Sequence, residues 1–421
     1  MSKLIAALAI ALAYLALAGI SAALAYAPTD AWTVWLASGL TLGLLLAAAR
    51  ARWAAILAGA ALGAAIFALV VDSTALDAIG YAAIEVVGAA AGAWIALKLA
   101  GGTLELESPR DLGLFLLGVL VQSLIGAALA GAWNVASGGH AGLRTFNVWL
   151  AANVVGGILV SPLIITWARF RAKRSGGLAM PQFFAGAVAF ALFAGLLFLL
   201  FAGDTRARFG GSIGMALTYM PVLFMSVVAL TWGARGASFA AFCGALITLF
   251  NTIREHGPFV VVDEYVGEAE LEAQVFVAAV ALTGLLIAAL AARERKALKE
   301  ARDWRTRFEG AIGAHRLLAY EWDPVGGAFV VTGDTATHLG VAPSKIASLA
   351  DWLAHVSPGE RDQTATAFGL RADGAAIPPL TYRVLRADGT PVTLVDEAEA
   401  LRDHEGTLYR VTGIVRVASV S

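Results

Sequence analysis

Apolar residues fill the first 293 positions in ten segments separated by short polar stretches, at 4–26, 31–49, 53–71, 78–97, 112–133, 146–168, 182–202, 212–232, 236–253 and 270–292. A helix needs about 20 mostly apolar residues to cross a hydrocarbon core of about 30 Å, so each segment predicts a membrane span. After Arg293 the pattern changes. The tenth segment runs without glycine or proline into Glu294-Arg295-Lys296-Ala297-Leu298-Lys299-Glu300-Ala301-Arg302. Ala291, Glu294, Leu298, Ala301, Arg305, Phe308 and Ile312 alternate by three and four, the seam of a short two-stranded coiled coil that Glu294 and Arg305 weaken.

From Arg316 the period drops to two. Arg316–Trp322 and Ala328–Thr332 predict strands around the turn Asp323-Pro324-Val325-Gly326-Gly327, and 333–371 predicts short helices. Leu380–Ala387, Pro391–Leu401 and Thr407–Val417 predict a meander whose turns are Asp388-Gly389 and Asp403-His404-Glu405-Gly406. The fold class is therefore a polytopic all-α transmembrane bundle of about ten helices plus a C-terminal α+β domain with an antiparallel five-stranded sheet. The expected boundaries are 1–293, a helical linker 294–313, and 314–421.

Composition agrees with the membrane reading: 59% hydrophobic, 14% charged and a mean hydropathy of +0.75 lie far from soluble averages. The formal net charge of -1 hides an asymmetry and offers no nucleic-acid surface. Assigned to alternate loops, fourteen Lys and Arg fall on one side, from Lys3 to Lys299, and four on the other: Arg144, Arg206, Arg208 and Arg254. Basic loops stay cytoplasmic, so both termini are expected inside, in a bacterial inner membrane. The first segment also resembles a secretory signal ending at Ala23-Leu24-Ala25, but its run of about 22 apolar residues exceeds the usual 7 to 15. Retention as a span is the preferred reading. The single cysteine, Cys243, lies inside a span, which excludes an intrachain disulfide.

Polar groups at bilayer depth are costly and face partners or cavities. Glu85 stands mid-span, and Gln122, Asn153 and Gln274 are uncharged companions on other spans. Two readings stay open: interhelical hydrogen bonding, worth about 1 kcal/mol each, or a ligand pocket or proton-sensitive switch built on Glu85. Pro162 and Pro221 each favour a kink, which serves packing or a hinge.

Trp35-Leu36-Ala37-Ser38-Gly39-Leu40 and Arg52-Trp53, then Glu85, then Trp149 to Asn153 with Gly156 to Ser161-Pro162, follow one another along the chain. Trp232-Gly233-Ala234-Arg235-Gly236, His256-Gly257-Pro258-Phe259 and Leu271-Glu272-Ala273-Gln274 complete the series. In this order they resemble the membrane-associated sensor domain of the first MASE type, over about residues 5–295. Leu36, where the family usually has proline, and Asn153, near a frequent acidic position, depart from it. The resemblance implies a sensor input domain, commonly ahead of a histidine kinase or diguanylate cyclase. It adds Trp35, Ser38 and Trp149 to the sensing candidates Glu85, Gln122, Asn153 and Gln274; the linker seam separately marks Leu298, Ala301 and Phe308 as relay positions.

Trp352, Val356-Ser357-Pro358-Gly359-Glu360-Arg361 and Tyr382-Arg383-Val384-Leu385-Arg386-Ala387-Asp388-Gly389 resemble a PAS domain of the third common sequence subtype. Such domains hold haem, flavin or small acids. Here a flavin adduct lacks its cysteine, and 358–371 offers no histidine to haem, leaving His338 and His355 as surface or loop residues. No cofactor is predicted, the PAS ligand stays open, and a role in dimerisation and relay is expected.

Phosphate-binding loops, ATP-lid motifs, a phosphoacceptor histidine on a long cytoplasmic helix and a Gly-Gly-Asp-Glu-Phe run do not occur, and the six histidines are too scattered for a metal site. The expected function is a membrane signal sensor without catalysis in this chain. Its expected partners are the lipid bilayer, a second copy, and a separate kinase or cyclase. A secondary transporter or a membrane scaffold is the alternative, although transporters usually carry internal repeats, and none is visible between the two halves.

Overall fold

The computed structural model describes residues 3–26, 31–168, 179–260, 267–315, 317–372 and 378–418. Contacts divide the chain into two units, Met1–Arg295 and Lys296–Ser421.

In the first unit the helices are α1 (Lys3–Ala23), α2 (Leu36–Ala47), α3 (Trp53–Val70), α4 (Ala75–Ala100), α5 (Pro109–Ala136) and α6 (Gly142–Ala168). They continue as α7 (Met180–Phe201), the short α8 (Thr205–Phe209) and α9 (Gly211–Leu217), α10 (Met220–Thr252) and α11 (Glu268–Ala314). A two-residue hairpin, β1 (Ala25–Tyr26) with β2 (Ala31–Trp32), lies between α1 and α2. Eight of the described helices are long and apolar enough to cross a membrane.

The ten-segment reading maps onto these helices with two local differences. Segment 31–49 yields only α2, twelve residues and about 18 Å long, because residues 31–35 go into the hairpin and extended backbone. Segment 212–232 starts in α9 and enters α10 at Met220, and segment 236–253 follows in the same α10, but Gly233 inside it has φ 67° and ψ -159°. A Cβ on Gly284 would lie 2.8 Å from Met225 Sδ and 3.5 Å from Ala237 Cβ. A straight helix would separate residues 225 and 237 by about 18 Å, so the chain folds back at Gly233, where only glycine adopts that backbone without strain.

Small residues set the helix distances. A Cβ on Gly92 would stand 2.4 Å from the Gly118 carbonyl oxygen, one on Gly63 2.8 Å from Tyr14 Cβ, and one on Gly156 2.0 Å from the Trp35 carbonyl oxygen. These contacts bring α4 onto α5, α1 onto α3 and α2 onto α6 at backbone range, the association mode of helices in lipid.

The second unit carries the end of α11 and the strands β3 (Leu317–Trp322), β4 (Phe329–Thr332), β5 (Leu380–Leu385), β6 (Pro391–Arg402) and β7 (Leu408–Val417). All pair antiparallel in the order β4-β3-β7-β6-β5. Between β4 and β5 lie α12 (Thr335–Leu339), α13 (Leu349–Ala354) and α14 (Arg361–Ala372). Strand boundaries fall within two residues of the alternating pattern, because Leu318, Tyr320 and Trp322 enter the core while Glu321 stays out. Trp352, Phe368, Phe329 and Tyr320 fill the space between sheet and helices.

Candidate functional site

Helix α4 starts on Thr74, whose hydroxyl accepts the Asp77 amide. Successive four-residue steps place Asp77, Tyr81 and Glu85 on one face, from the exposed end inward. Glu85 is 5% exposed. Thr41, Trp35 and Tyr14 stand as hydrogen-bonding neighbours of its carboxyl. Even so, its Oε1 has no partner of ordinary hydrogen-bond geometry among the described residues.

Glu85 is among the residues that line a cavity of about 400 Å³. Trp32 and Trp35 stack at 4.4 Å, Phe67 meets both edge-on at 5.6 and 5.4 Å, and Tyr14 adds an edge to Trp35 at 6.3 Å. Across the cavity Tyr81 lies 5.8 Å from Trp149. Asn153, also in the lining and buried, donates its amide to the Trp149 carbonyl one turn back at 2.8 Å. At the other end the lining reaches exposed Val71 and Arg144, in or beside the α3–α4 and α5–α6 loops.

Three of the sequence candidates lie outside that lining. Gln122 Nε2 donates to the Ser38 carbonyl at 3.1 Å, and Gln274 Nε2 donates to the Thr33 carbonyl at 2.7 Å. Ser38 itself donates to the Trp35 carbonyl at 2.8 Å. Ser21 accepts the Leu36 amide at 3.0 Å, Ser161 donates to the Gly39 carbonyl at 2.8 Å, and the Trp35 amide donates to the Ala152 carbonyl at 3.0 Å. Irregular backbone inside a bundle survives only when its polar groups are satisfied by protein. These side chains therefore brace residues 33–39, and that brace holds Trp35 at the cavity wall.

Sequence reasoning placed Trp35, Glu85, Trp149 and Asn153 together and missed Tyr14, Trp32, Phe67 and Tyr81. Tyr81 was accessible through its four-residue spacing from Glu85. The other three depend on how α1 and α3 pack through Gly63, which periodicity does not reveal.

The MASE1 family model matches residues 4–295. The chain belongs to the MASE1 family. A PAS fold model matches residues 329–415, so this MASE1 chain is a multi-pass membrane protein of sensory domains. None of the curated proteins matches it. Among solved structures it is similar to the N-terminal domain of a diguanylate cyclase with PAS/PAC sensor from Marinobacter aquaeolei, at 19% identity and TM-score 0.23, over 24% of this chain and 94% of that one. It is also similar to a sensory box histidine kinase/response regulator from Burkholderia thailandensis, at 18% identity and TM-score 0.23, over 27% of this chain and 84% of that one.

In the PAS unit of this MASE1 chain, sequence reasoning overlooked a buried polar network. Arg371 Nη1 donates to Asp396 Oδ2 at 2.9 Å and to the Tyr320 hydroxyl at 2.8 Å. Tyr382 donates to the same Asp396 oxygen at 3.2 Å and accepts from Trp352 Nε1 at 3.0 Å. Burial pushes the Asp396 carboxyl above its ordinary range while the Arg371 charge pulls it back, and burial likewise raises the Tyr382 phenol. Both buried charges are compensated, as such groups must be.

The three relay positions differ. Leu298 is exposed, whereas Ala301 and Phe308 line a groove against the outer sheet face beside Ala319, Thr332 and Ile414. Trp304 stacks on Phe308 at 5.2 Å. Ile312, expected in an intermolecular seam, is buried within its own chain, with Gly333 and Leu318 beside it. Among the described residues no group of three or more His, Cys, Asp or Glu is placed to hold a metal ion.

Proposed function

We propose that this MASE1 chain senses a ligand in the Glu85 cavity and passes the event along α11 to the PAS domain, acting as a homodimer in a bacterial inner membrane with both termini cytoplasmic. The observation that carries the reading is α11 itself, one unbroken helix from Glu268 to Ala314. It begins beside Gln274, which holds the Thr33 carbonyl next to the cavity wall, and ends on Ile312 under the sheet. A continuous helix of 47 residues carries rotation or translation of one end to the other. The output belongs to a two-component or cyclic-di-GMP pathway through a separate kinase or cyclase.

The test uses the full chain in membranes with Cys243→Ser and a single Phe308→Cys. Glu85→Gln should change the rate of cross-linking at position 308 at least threefold, and Ala301→Pro in the same chain should remove that change. An identical rate with and without Glu85, or a change that survives the proline, overturns the relay. Transport is the second reading, favoured by the short α2 and the fold-back in α10, since interrupted helices mark substrate sites. Uptake by proteoliposomes of any compound that the cavity binds would support transport over relay.

A further inference from the structure

We infer that the Glu85 cavity takes a small organic cation, an ammonium group carried on an apolar body. This rests on the reading of the cavity as the sensing site and names the chemistry of its ligand.

Three observations converge on that class. The first is Glu85, which lines the cavity while 5% exposed. A carboxylate removed from water needs donors or an opposite charge. Thr41, Trp35 and Tyr14 neighbour the carboxyl, yet among the described residues its Oε1 has no partner and no opposite charge lies beside it at the buried end. An ammonium N–H supplies both at once, in a charge-assisted hydrogen bond. The second is the wall. Two ring clusters, Trp32 with Trp35 and Phe67, and Tyr81 with Trp149, line one space. Aromatic faces attract cations through their quadrupole, most strongly where water is excluded, and they receive apolar carbon equally well. The third is size, since about 400 Å³ lies within the range of small-ligand pockets.

Charge around the entrance is mixed, and burial decides its sign. Arg144 reaches the lining from the exposed start of α6, where solvent and salt screen it. Glu85 sits at the buried end, where charge acts with less screening. Asp77, two turns from Glu85 on the same helix face and held by Thr74 and Trp133, is screened by solvent in the same way as Arg144. An anionic ligand would have to lie beside Glu85, which disfavours it.

The experiment measures tryptophan fluorescence of the purified full chain in nanodiscs, titrated at neutral pH with three probes of one shape. They are 2-phenylethylamine as the cation, 2-phenylethanol as the neutral comparator and 3-phenylpropanoate as the anion. The expected result is that the amine binds at least tenfold more tightly than the alcohol and that the anion binds weakest. Glu85→Gln should erase the amine's advantage while leaving alcohol affinity within about twofold, which shows that the cavity remains folded. Trp35→Leu should weaken both. Equal affinity for amine and alcohol, tighter binding of the anion, or an amine advantage that survives Glu85→Gln overturns the inference. The relay can fail its cross-linking test while this selectivity holds, and the reverse, so the two failures are distinguishable.

Discussion

At the scale of single residues, two sites concentrate constraint. Gly156 admits no side chain, because a Cβ there would lie 2.0 Å from the Trp35 carbonyl oxygen, which is backbone and cannot swing away. Gly156→Ala should destabilise the membrane unit by about 1–3 kcal/mol, the usual cost of overpacking. It should also displace Trp35, so the thermal midpoint in detergent and the tryptophan emission maximum should both shift. In the PAS core, Arg371→Ala would leave Asp396 charged and unpaired beside Tyr320 and Tyr382. Breaking a buried pair from one side costs about 3–5 kcal/mol. Urea unfolding of residues 296–421 should report that loss, with a smaller one when Arg371→Met and Asp396→Leu are combined. Glu85 was marked as chemically significant in the sequence because a carboxylate at mid-span is expensive. Arg371 and Asp396 were not, since 25 residues apart in a soluble domain they look like ordinary surface charges.

At the scale of elements, α11 and the helix caps invite opposite tests. A proline at Ala301 removes an intrahelical hydrogen bond and costs about 3 kcal/mol. Amide exchange of residues 297–305 should then accelerate on the order of a hundredfold, with β3 amides unchanged. Two helix caps, Asp334 and Asp351, and two further contacts, Glu360 to Arg383 and Asp388 in the β5–β6 turn, depend on ionised carboxylates. Hydrogen bonds from Ser348 and the Ala347 amide hold Asp351 below its usual range, those from the Arg383 amide and side chain do so for Glu360, and Thr337 and Thr390 do so for Asp334 and Asp388. A carboxylate with a lowered folded pKa contributes stability that is present above its unfolded value, about 4, and is lost as pH falls through the folded value. Asp396, raised by burial, has the opposite sign, its contribution shrinking as pH rises through its folded value. The four lowered carboxylates predict that the melting temperature of residues 296–421 falls as pH drops below about 4, and Asp396→Asn should steepen that fall. The paired strands were predictable because a half-buried strand alternates strictly. The break at Gly233 was not, since a glycine between two apolar runs does not announce whether the helix bends or reverses.

At the scale of the whole molecule, charge bias and packing make separate statements. Fourteen basic residues against four predict the loop after α4 inside and the loop after α5 outside. Reporter fusions at Thr103 and His140 should therefore read cytoplasmic and external respectively, and the reversed pair of readings would refute the orientation. The cavity then opens outward, since Val71 and Arg144 near its mouth belong to or border loops on the His140 side. A second copy is expected along the exposed part of the linker, where Leu298 and Trp304 present apolar surface. With Ile312 already packed in its own chain, the seam should be shorter than the seven-position pattern suggests. Single cysteines at Leu298 should cross-link in membranes, and those at Ile312 should not.

Sequence by itself determined the division into an apolar bundle and an α+β domain, most of the membrane segments, the strand boundaries to within two residues, and Glu85 as a group in need of a partner. Those properties follow from local rules: the length of a bilayer crossing, the two-residue repeat of a half-buried strand, and the cost of a charge in hydrocarbon. Tertiary structure alone decided which polar groups share a site. Gln122 and Gln274 from other helices, with Ser38 of α2 itself, went to bracing the start of the short α2, because irregular backbone within a membrane must have its hydrogen bonds satisfied by protein. The aromatic wall around Glu85 gathers rings from α1, the segment around Trp32 and Trp35, α3, α4 and α6. Its assembly depends on glycine contacts that bring α1 onto α3 and α2 onto α6 at backbone range, a distance set by both helices at once and written in neither alone.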